Sequence, residues 1–160
     1  MSLCSFFINL LIYSLKKFLE EPDGWIENKL NSCLVLSCCY QAMGENAAAF
    51  DILFYSFTMD VPRAEICCEI GRLFMEKREY VTAAYWYQQA LLAPRKKKNG
   101  GFYIADSHDF IPAIQMCVCL DKAGRHREAF EFHKKARVLK PLHQAVIGNE
   151  KYFRDVWGME

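Results

Sequence analysis

EICCEIGRLFMEKREYVTAAYWYQQAL, from Glu65 to Leu91, is the stretch of sequence that decides the fold. Its small residues lie at Gly71, Ala83 and Ala90, and an aromatic residue lies at Tyr87. Small residues at these spacings let two antiparallel helices approach closely, and aromatic residues fill the gaps between neighbouring helix pairs. The stretch therefore predicts a tightly packed helix pair.

The same pattern occurs twice more in the chain. One copy lies one repeat period, about 34 residues, upstream. The other begins downstream near Phe110. It starts later than the period requires, because residues are inserted within 95–109. The matching positions are Cys33, Leu36, Ser37, Tyr40, Ala49, Leu53 and Ser56 in the first copy, and Cys117, Leu120, Gly124, Ala129, His133, Ala136 and Pro141 in the third. Self-similarity at a fixed period of this length indicates a helical repeat protein.

The spacings fit the tetratricopeptide pattern, in which each repeat of about 34 residues is a helix pair. We therefore predict an all-α fold, a solenoid of antiparallel helix pairs in one domain over residues 1–160. Its three repeats would cover about 30–63, 64–109 and 110–143, between an N-terminal helix and a C-terminal capping helix. The predicted helices are 3–20, 27–43, 46–59, 63–77, 80–92, 110–123, 126–139 and 142–156.

The N-terminal helix is apolar on nearly all sides, which is typical of a helix that is covered all round. We therefore expect its outer face to meet a second copy of the chain, as a homodimer, or a further domain. The apolar side chains on one stripe are Phe6, Phe7, Leu10, Leu11, Leu15 and Phe18, and those opposite are Cys4, Ile8, Ile12 and Tyr13.

Composition narrows the class of protein. The chain has 160 residues, 52% of them hydrophobic, and a formal net charge of +1, so charge gives no reason to expect nucleic acid as a partner. The apolar run at residues 3–15 is too short to span a bilayer, and it lacks the flanks of a secretory signal. We expect a cytoplasmic protein without a membrane span, whose cysteines stay reduced.

The eight cysteines suggest a metal or redox site, but their positions favour packing. Five of them fall where the repeat needs a small hydrophobic residue: Cys33, Cys39, Cys67, Cys117 and Cys119. The sequence has no C-x-x-C and no Cys and His at zinc-finger spacing. We predict no metal and no cofactor.

The four histidines, His108, His126, His133 and His143, are predicted to be structural. His133 takes the place of the aromatic residue of the second helix, and His126 lies in the turn between helices. Gly100-Gly101 has no following phosphate-loop residues. The sequence therefore predicts no catalytic residue.

The groove lined by the first helix of each repeat is the expected binding surface for a protein or peptide. Adjacent helical residues diverge by about 100°, so that Cys38 and Cys68 should face this groove. The predicted partner-binding residues are Asn31, Leu34, Cys38, Gln41, Glu65, Cys68, Glu69, Arg72, Met75, Glu76, Ile114, Gln115, Val118, Asp121 and Lys122. Few of them are basic, which argues against a clamp for a terminal carboxylate.

The inserted segment RKKKNGGFYIADSHD, residues 95–109, has two interpretations. A basic run beside aromatic residues could hold a phosphate or stack a base or sugar, whereas a charged run is more often a solvated loop. The residues concerned are Arg95, Lys96, Lys97, Lys98, Phe102 and Tyr103.

Several segments resemble one known family. EPDGWIENKL, PRAEICCEIGRLF, AAYWYQQALLAP, GGF, IPAIQMCVCLDKAG and NEKYF are similar to the C-terminal tetratricopeptide region of bacterial family 2 glycosyltransferases. The resemblance implies repeats that serve acceptor binding or dimerisation and follow a catalytic GT-A domain with a D-x-D motif. This chain has no D-x-D, so the resemblance implies no catalytic residue here.

The predicted function is that of a non-catalytic interaction or scaffold module, either as the C-terminal region of such a glycosyltransferase or as a free-standing adaptor that binds a partner peptide. A third interpretation is a binder of RNA or of a phosphorylated sugar through the basic insertion. The sequence does not decide the sugar, the acceptor, the partner or the oligomeric state.

Overall fold

The computed structural model describes residues 3–95 and 103–159. Those residues form eight α-helices, two short 3₁₀ helices and no strand, so that the all-α prediction is confirmed. The α-helices are α1 Leu3–Glu20, α2 Ile26–Ala42, α3 Asn46–Tyr55, α4 Ala64–Glu76, α5 Tyr80–Leu92, α6 Phe110–Lys122, α7 His126–Leu139 and α8 Gln144–Trp157. The 3₁₀ helices are Ser56–Thr58 and Ala105–His108.

The chain divides into two compact units. The first comprises Met1–Pro62 and Lys96–Tyr103 and contains α1–α3, and the second comprises Arg63–Arg95 and Ile104–Glu160 and contains α4–α8. The single domain over residues 1–160 therefore stays a prediction.

In the first unit, α2 and α3 form a helix pair. Leu36 of α2 and Ala49 and Leu53 of α3 are fully buried, at the positions that the repeat pattern assigns to packing. α1 contributes only one buried side chain, Leu19. The Lys29 ammonium of α2 donates to the Leu19 carbonyl oxygen at 3.1 Å, which ties the C-terminal end of α1 to α2.

In the second unit, α4 pairs with α5 and α6 pairs with α7. A Cβ added at Gly71 of α4 would lie 3.0 Å from the ring of Tyr87 on α5, so that a larger side chain would require the ring to shift by a few tenths of an ångström. Ala83 and Ala90 of α5 are also fully buried. The predicted close approach of the two helices at their small residues is thus present.

The cysteines expected to pack are all buried, namely Cys33, Cys39, Cys67, Cys117 and Cys119. None of the eight cysteines, all of which lie in the described residues, forms a disulfide. Burial raises the pKa of Cys33 to about 11 and the pKa values of Cys67, Cys117 and Cys119 to about 12. Because the thiolate is the reactive form, these side chains are poor nucleophiles.

Burial leads to a prediction about thiol reactivity. In the native protein, a small alkylating reagent should modify Cys4 and Cys38 rapidly, because these are the two exposed cysteines, and the other six slowly. Mass spectrometry over time would count the modified thiols, and Cys38→Ser should remove one of the two fast sites. Rapid modification of four or more thiols would contradict the packing described here.

The predicted helix boundaries need two corrections. α3 ends at Tyr55 and not at residue 59, because the chain tightens into the 3₁₀ helix Ser56–Thr58, where the Ser56 hydroxyl donates to the Leu53 carbonyl oxygen. The second 3₁₀ helix, Ala105–His108, lies in the insertion, where no helix was predicted.

The turns inside the three helix pairs share a left-handed residue. Gly44 has φ +76° and Gly124 has φ +78°, whereas the equivalent residue of the middle pair is Arg78, with φ +60°. A side chain costs about 1–2 kcal/mol in this conformation, and glycine adopts it freely.

We therefore expect Arg78→Gly to raise the free energy of unfolding by about 1 kcal/mol, which corresponds to about 2–4 °C in the melting temperature. Thermal unfolding followed by circular dichroism measures the change. The matched control is Lys77→Gly, since Lys77 has φ −74° and glycine there should reduce stability. Equal effects of the two variants would contradict the explanation.

Candidate functional site

The predicted groove residues of the first unit lie on α2. Cys38 is exposed, while Asn31, Leu34 and Gln41 are half-buried. The Gln41 amide donates to Ser37 on the previous turn, at 3.3 Å to its carbonyl oxygen and 3.2 Å to its hydroxyl.

On α4, the charged groove residues are bonded to one another. The Arg72 guanidinium donates to both carboxylate oxygens of Glu69, at 2.9 and 2.7 Å, and pairs with Glu76 one turn further on. The hydrogen bond to Glu69 is the main reason that the pKa of Arg72 is raised. Arg72 is therefore already neutralised within its own helix. The neighbouring groove residue, Met75, accepts a contact from the Tyr87 hydroxyl at 3.5 Å.

Two predicted groove residues of α4 are covered by the end of the insertion. The Glu65 carboxylate accepts from the backbone N–H of Ile104 at 2.9 Å and lies 3.9 Å from the imidazole of His108. Cys68 is buried, and its thiol donates to the Ser107 carbonyl oxygen at 3.5 Å. Cys68 is therefore not open to solvent, because the inserted residues fold back onto this part of α4, and its role in partner binding stays a prediction.

Ile114 also differs from its prediction. It is buried in a cluster with Phe110, Ala113, Ala136 and Val146, so that it belongs to the packing of the third helix pair and α8. The remaining predicted residues of α6 are accessible: Gln115, Val118 and Asp121 are half-buried, and Lys122 is exposed.

The ends of the insertion are held by ion pairs within the second unit. Arg95 lies 3.2 Å from the Asp109 carboxylate and 3.4 Å from the His108 carbonyl oxygen. Lys140 pairs with Asp106. Arg95 therefore fixes the insertion and is not an independent cation. Tyr103 is exposed, whereas Lys96, Lys97, Lys98 and Phe102 lie outside the described residues, so that the binding interpretation of the basic run stays a prediction.

A pocket lies between α6 and α8. Its volume is about 180 Å³, which is below the range of roughly 300–1,000 Å³ that is typical of small-ligand pockets in proteins. The lining side chains combine an apolar floor with a few polar groups, and they are Cys117, Val118, Asp121, Lys122, Asn149, Tyr152 and Phe153. Three predicted groove residues, Val118, Asp121 and Lys122, are thus brought together with residues of α8.

The Asp121 carboxylate organises one wall of the pocket. One of its oxygens lies 2.7 Å from Nδ1 of His126, and the other accepts from the Tyr152 hydroxyl at 2.9 Å. The Trp157 indole N–H donates to the same hydroxyl at 3.3 Å, and its ring stacks on His126 with centroids 3.8 Å apart. The network links α6, α7 and α8, so that the ring of Tyr152 is held in place by hydrogen bonds.

Sequence reasoning missed Asn149 and Tyr152, because it treated their helix only as a C-terminal cap. A signal for them was present in the repeat period. Gln115 and Val118 are groove positions of α6, and a further shift by one repeat leads to Asn149 and Tyr152. α8 therefore continues the series of first helices. The Asn149 side-chain amide donates one N–H to the Cys117 sulfur at 3.5 Å. Its second N–H and its oxygen can bond to a ligand.

The histidines have structural partners, as predicted, with one anomaly. His133 is fully buried between Phe130 and Phe153, with ring centroids 5.8 and 5.7 Å away, and neither of its ring nitrogens has a hydrogen-bond partner. Burial lowers the pKa of His133, partly offset by the carboxylate of Glu150, while Arg137 lowers it further.

This burial leads to a prediction about acid stability. In the unfolded chain, His133 takes up a proton near pH 6.5, whereas burial disfavours this protonation in the folded chain. The free energy of unfolding should therefore be highest above pH 6.5 and should decrease as the pH falls below that value. His133→Phe should raise the free energy of unfolding by about 1 kcal/mol at pH 7, since it removes unpaired buried nitrogens, and should flatten the decline between pH 7 and 5.

Urea unfolding at several pH values measures both effects. The control is His143→Asn, because His143 is exposed and its side chain accepts from Ala145 N–H as a helix cap, which asparagine can also do. The control should keep the wild-type pH dependence. An unchanged slope in His133→Phe would show that other groups cause it.

Within residues 3–95 and 103–159, no group of three His, Cys, Asp or Glu side chains is placed to hold a metal ion. In the same residues, no helix is both long enough and apolar enough to cross a membrane.

A search of solved structures finds a related architecture. The crystal structure of MamA, a protein with tetratricopeptide repeats, matches with a TM-score of 0.63 and 21% sequence identity, over 90% of this chain and 78% of MamA. The fold is tetratricopeptide-like. The low identity limits the likeness to the fold. No protein-family model matches the chain, and no curated protein matches it either.

Proposed function

We propose that the chain is a non-catalytic protein-interaction module and that the pocket between α6 and α8 holds a peptide segment of a partner protein. The single observation that supports this most is the pocket itself, which lies where the first helices of successive pairs place their groove residues. The fold supports the proposal, because helical repeat proteins bind partners along the surface formed by those helices.

The chemistry of the pocket suits a peptide. Val118 offers apolar surface for a side chain, and Lys122 and Asn149 offer donors to backbone carbonyl groups beside it. Tyr152 is already oriented by Asp121, so that less conformational entropy is lost on binding than with a free side chain.

The charges of the groove also narrow the kind of peptide. Arg72 is bonded to Glu69 and Glu76, and Lys122 is the only cation that lines the pocket in the described part of the chain. A terminal carboxylate held by several basic side chains therefore does not fit this surface. We propose an internal segment with one large apolar side chain.

A panel of displayed random dodecamer peptides, selected on the wild-type protein, tests the proposal. Val118→Glu should weaken the selected peptides by about tenfold or more, because it places a carboxylate in the apolar floor, and Lys122→Ala should weaken them less. Binding is measured by fluorescence anisotropy, and Trp157 fluorescence gives a second signal because its indole contacts Tyr152.

The matched control is Val138→Glu, since Val138 is exposed on α7 and does not line the pocket. It should bind the peptides as the wild type does, and circular dichroism should show that all variants are folded. Peptides that bind Val118→Glu and the wild type equally would rule out this pocket as the site.

We also propose that the module belongs to a bacterial glycosyltransferase, as a C-terminal region for acceptor binding or dimerisation. The support is the sequence resemblance, from EPDGWIENKL near Trp25 to NEKYF near Phe153. The alternative is a free-standing adaptor with the same pocket. The reading frame of the native gene distinguishes them, because an upstream in-frame GT-A domain with a D-x-D motif favours the first and its absence favours the second.

A further inference from the structure

The outer surface of α1 carries an apolar seam with a regular period. The seam consists of four exposed side chains that are spaced alternately three and four residues apart. They are Leu3, Phe6, Leu10 and Tyr13, with exposed fractions of 78%, 51%, 52% and 58%. Spacings that alternate between three and four positions place side chains along one line of a helix, as in the seam of a coiled coil.

A second stripe with the same period lies on the opposite side of α1. The division expected from the sequence is therefore wrong for Tyr13, which is exposed on the seam, and for Leu15, which lies on the opposite stripe. Ile8, Ile12, Leu15 and Leu19 are half-buried or buried, and they are separated from the seam by about half a turn, at about 100° per residue. α1 therefore packs within its unit through one stripe and presents the other stripe to the outside. Phe7 and Leu11, both exposed, widen the apolar surface beside the seam.

The position of α1 in the repeat register explains why this surface is uncovered. The second helices of the first two pairs begin at Asn46 and Tyr80, one repeat apart, so that an equivalent preceding helix would begin at Ile12. α1 begins at Leu3 instead, which adds about 14 Å of helix before that point. Leu3, Phe6 and Leu10 lie in this additional length.

We propose that the seam of α1 is an interface at which two copies of this chain pair in antiparallel orientation around a two-fold axis. In this pairing Leu3 meets Tyr13 of the partner subunit, and Phe6 meets Leu10 of the partner subunit. The seam is symmetric about its centre, so that one helix complements an identical one, as an isologous interface requires.

The charges of α1 favour this occupant and this orientation. No charged residue lies between Leu3 and Leu15, so that nothing repels a second copy along the seam. Lys17 follows on the same line, with its ammonium 5.0 Å from the centre of the Tyr13 ring. A parallel pair would bring two Lys17 side chains together, whereas an antiparallel pair places them at opposite ends of the seam.

The exposed apolar area of α1 and its distribution of charge favour a second copy of the chain over a lipid surface as the binding partner. The six exposed apolar side chains offer on the order of 600 Å² per copy, close to the roughly 800 Å² per partner of a stable interface. Helices that lie on membranes carry Lys or Arg along a polar face. The additional length of α1 has no such face.

The mass in solution tests the proposal. At about 50 µM, light scattering after gel filtration should give the wild type a mass of twice the 18.6 kDa of one chain. The double variant with Phe6→Glu and Leu10→Glu should be a monomer. Its circular dichroism spectrum should match that of the wild type. The control Val138→Glu, at a residue 83% exposed on α7, should remain a dimer. A monomeric wild type, or a double variant that stays dimeric, would overturn the proposal.

Cross-linking tests the orientation in a background with Cys4→Ser and Cys38→Ser. A mixture of Phe6→Cys protein and Leu10→Cys protein should form an interchain disulfide on oxidation, whereas neither protein alone should form one, because identical positions lie too far apart. Efficient self-linking of Phe6→Cys would overturn the antiparallel pairing. Pelleting of a monomeric wild type with phosphatidylcholine vesicles would show that α1 binds lipid instead.

Discussion

The second unit depends on how closely α4 and α5 approach each other. The ring of Tyr87 on α5 packs against Gly71, where a methyl group would be 3.0 Å from it, and the Tyr87 hydroxyl contacts the Met75 sulfur at 3.5 Å. Burial raises the pKa of Tyr87. The ring occupies the space that glycine leaves, and Ala83 and Ala90 of the same helix are fully buried. A helix pair packed in this way exposes the apolar sides that the next pair covers.

The insertion after α5 changes what the repeat would otherwise present. Its last residues form a 3₁₀ helix that covers Glu65 and Cys68, and ion pairs of Arg95 with Asp109 and of Lys140 with Asp106 hold it there. The first turns of α4 are therefore closed to a ligand. Accessible groove residues are found instead on α6 and α8, where the Asp121 network fixes the walls of a pocket. An intramolecular contact thus covers part of the surface on which partner binding was predicted.

Two surfaces of the chain are suited to partners, and they differ in chemistry. The pocket between α6 and α8 is small and mixed, with an apolar floor and polar groups at its edge, which suits one side chain of a peptide. The seam of α1 is long, apolar and uncharged, which suits another helix. A module that uses both would bring a bound peptide to a paired assembly. This is the arrangement expected of a scaffold region in a larger enzyme or of an adaptor.

The sequence alone determined the helices, their pairing and the burial of Cys33, Cys67 and Cys117, because a fixed repeat period with small residues at set positions allows few other packings. The same period contained the pocket residues Asn149 and Tyr152, once α8 is recognised as a further first helix. Tertiary structure alone decided that Cys68 and Glu65 are covered and that Ile114 is in the core. The physical reason is that an insertion follows no period, so that the surface against which it folds depends on the contacts that its own residues make.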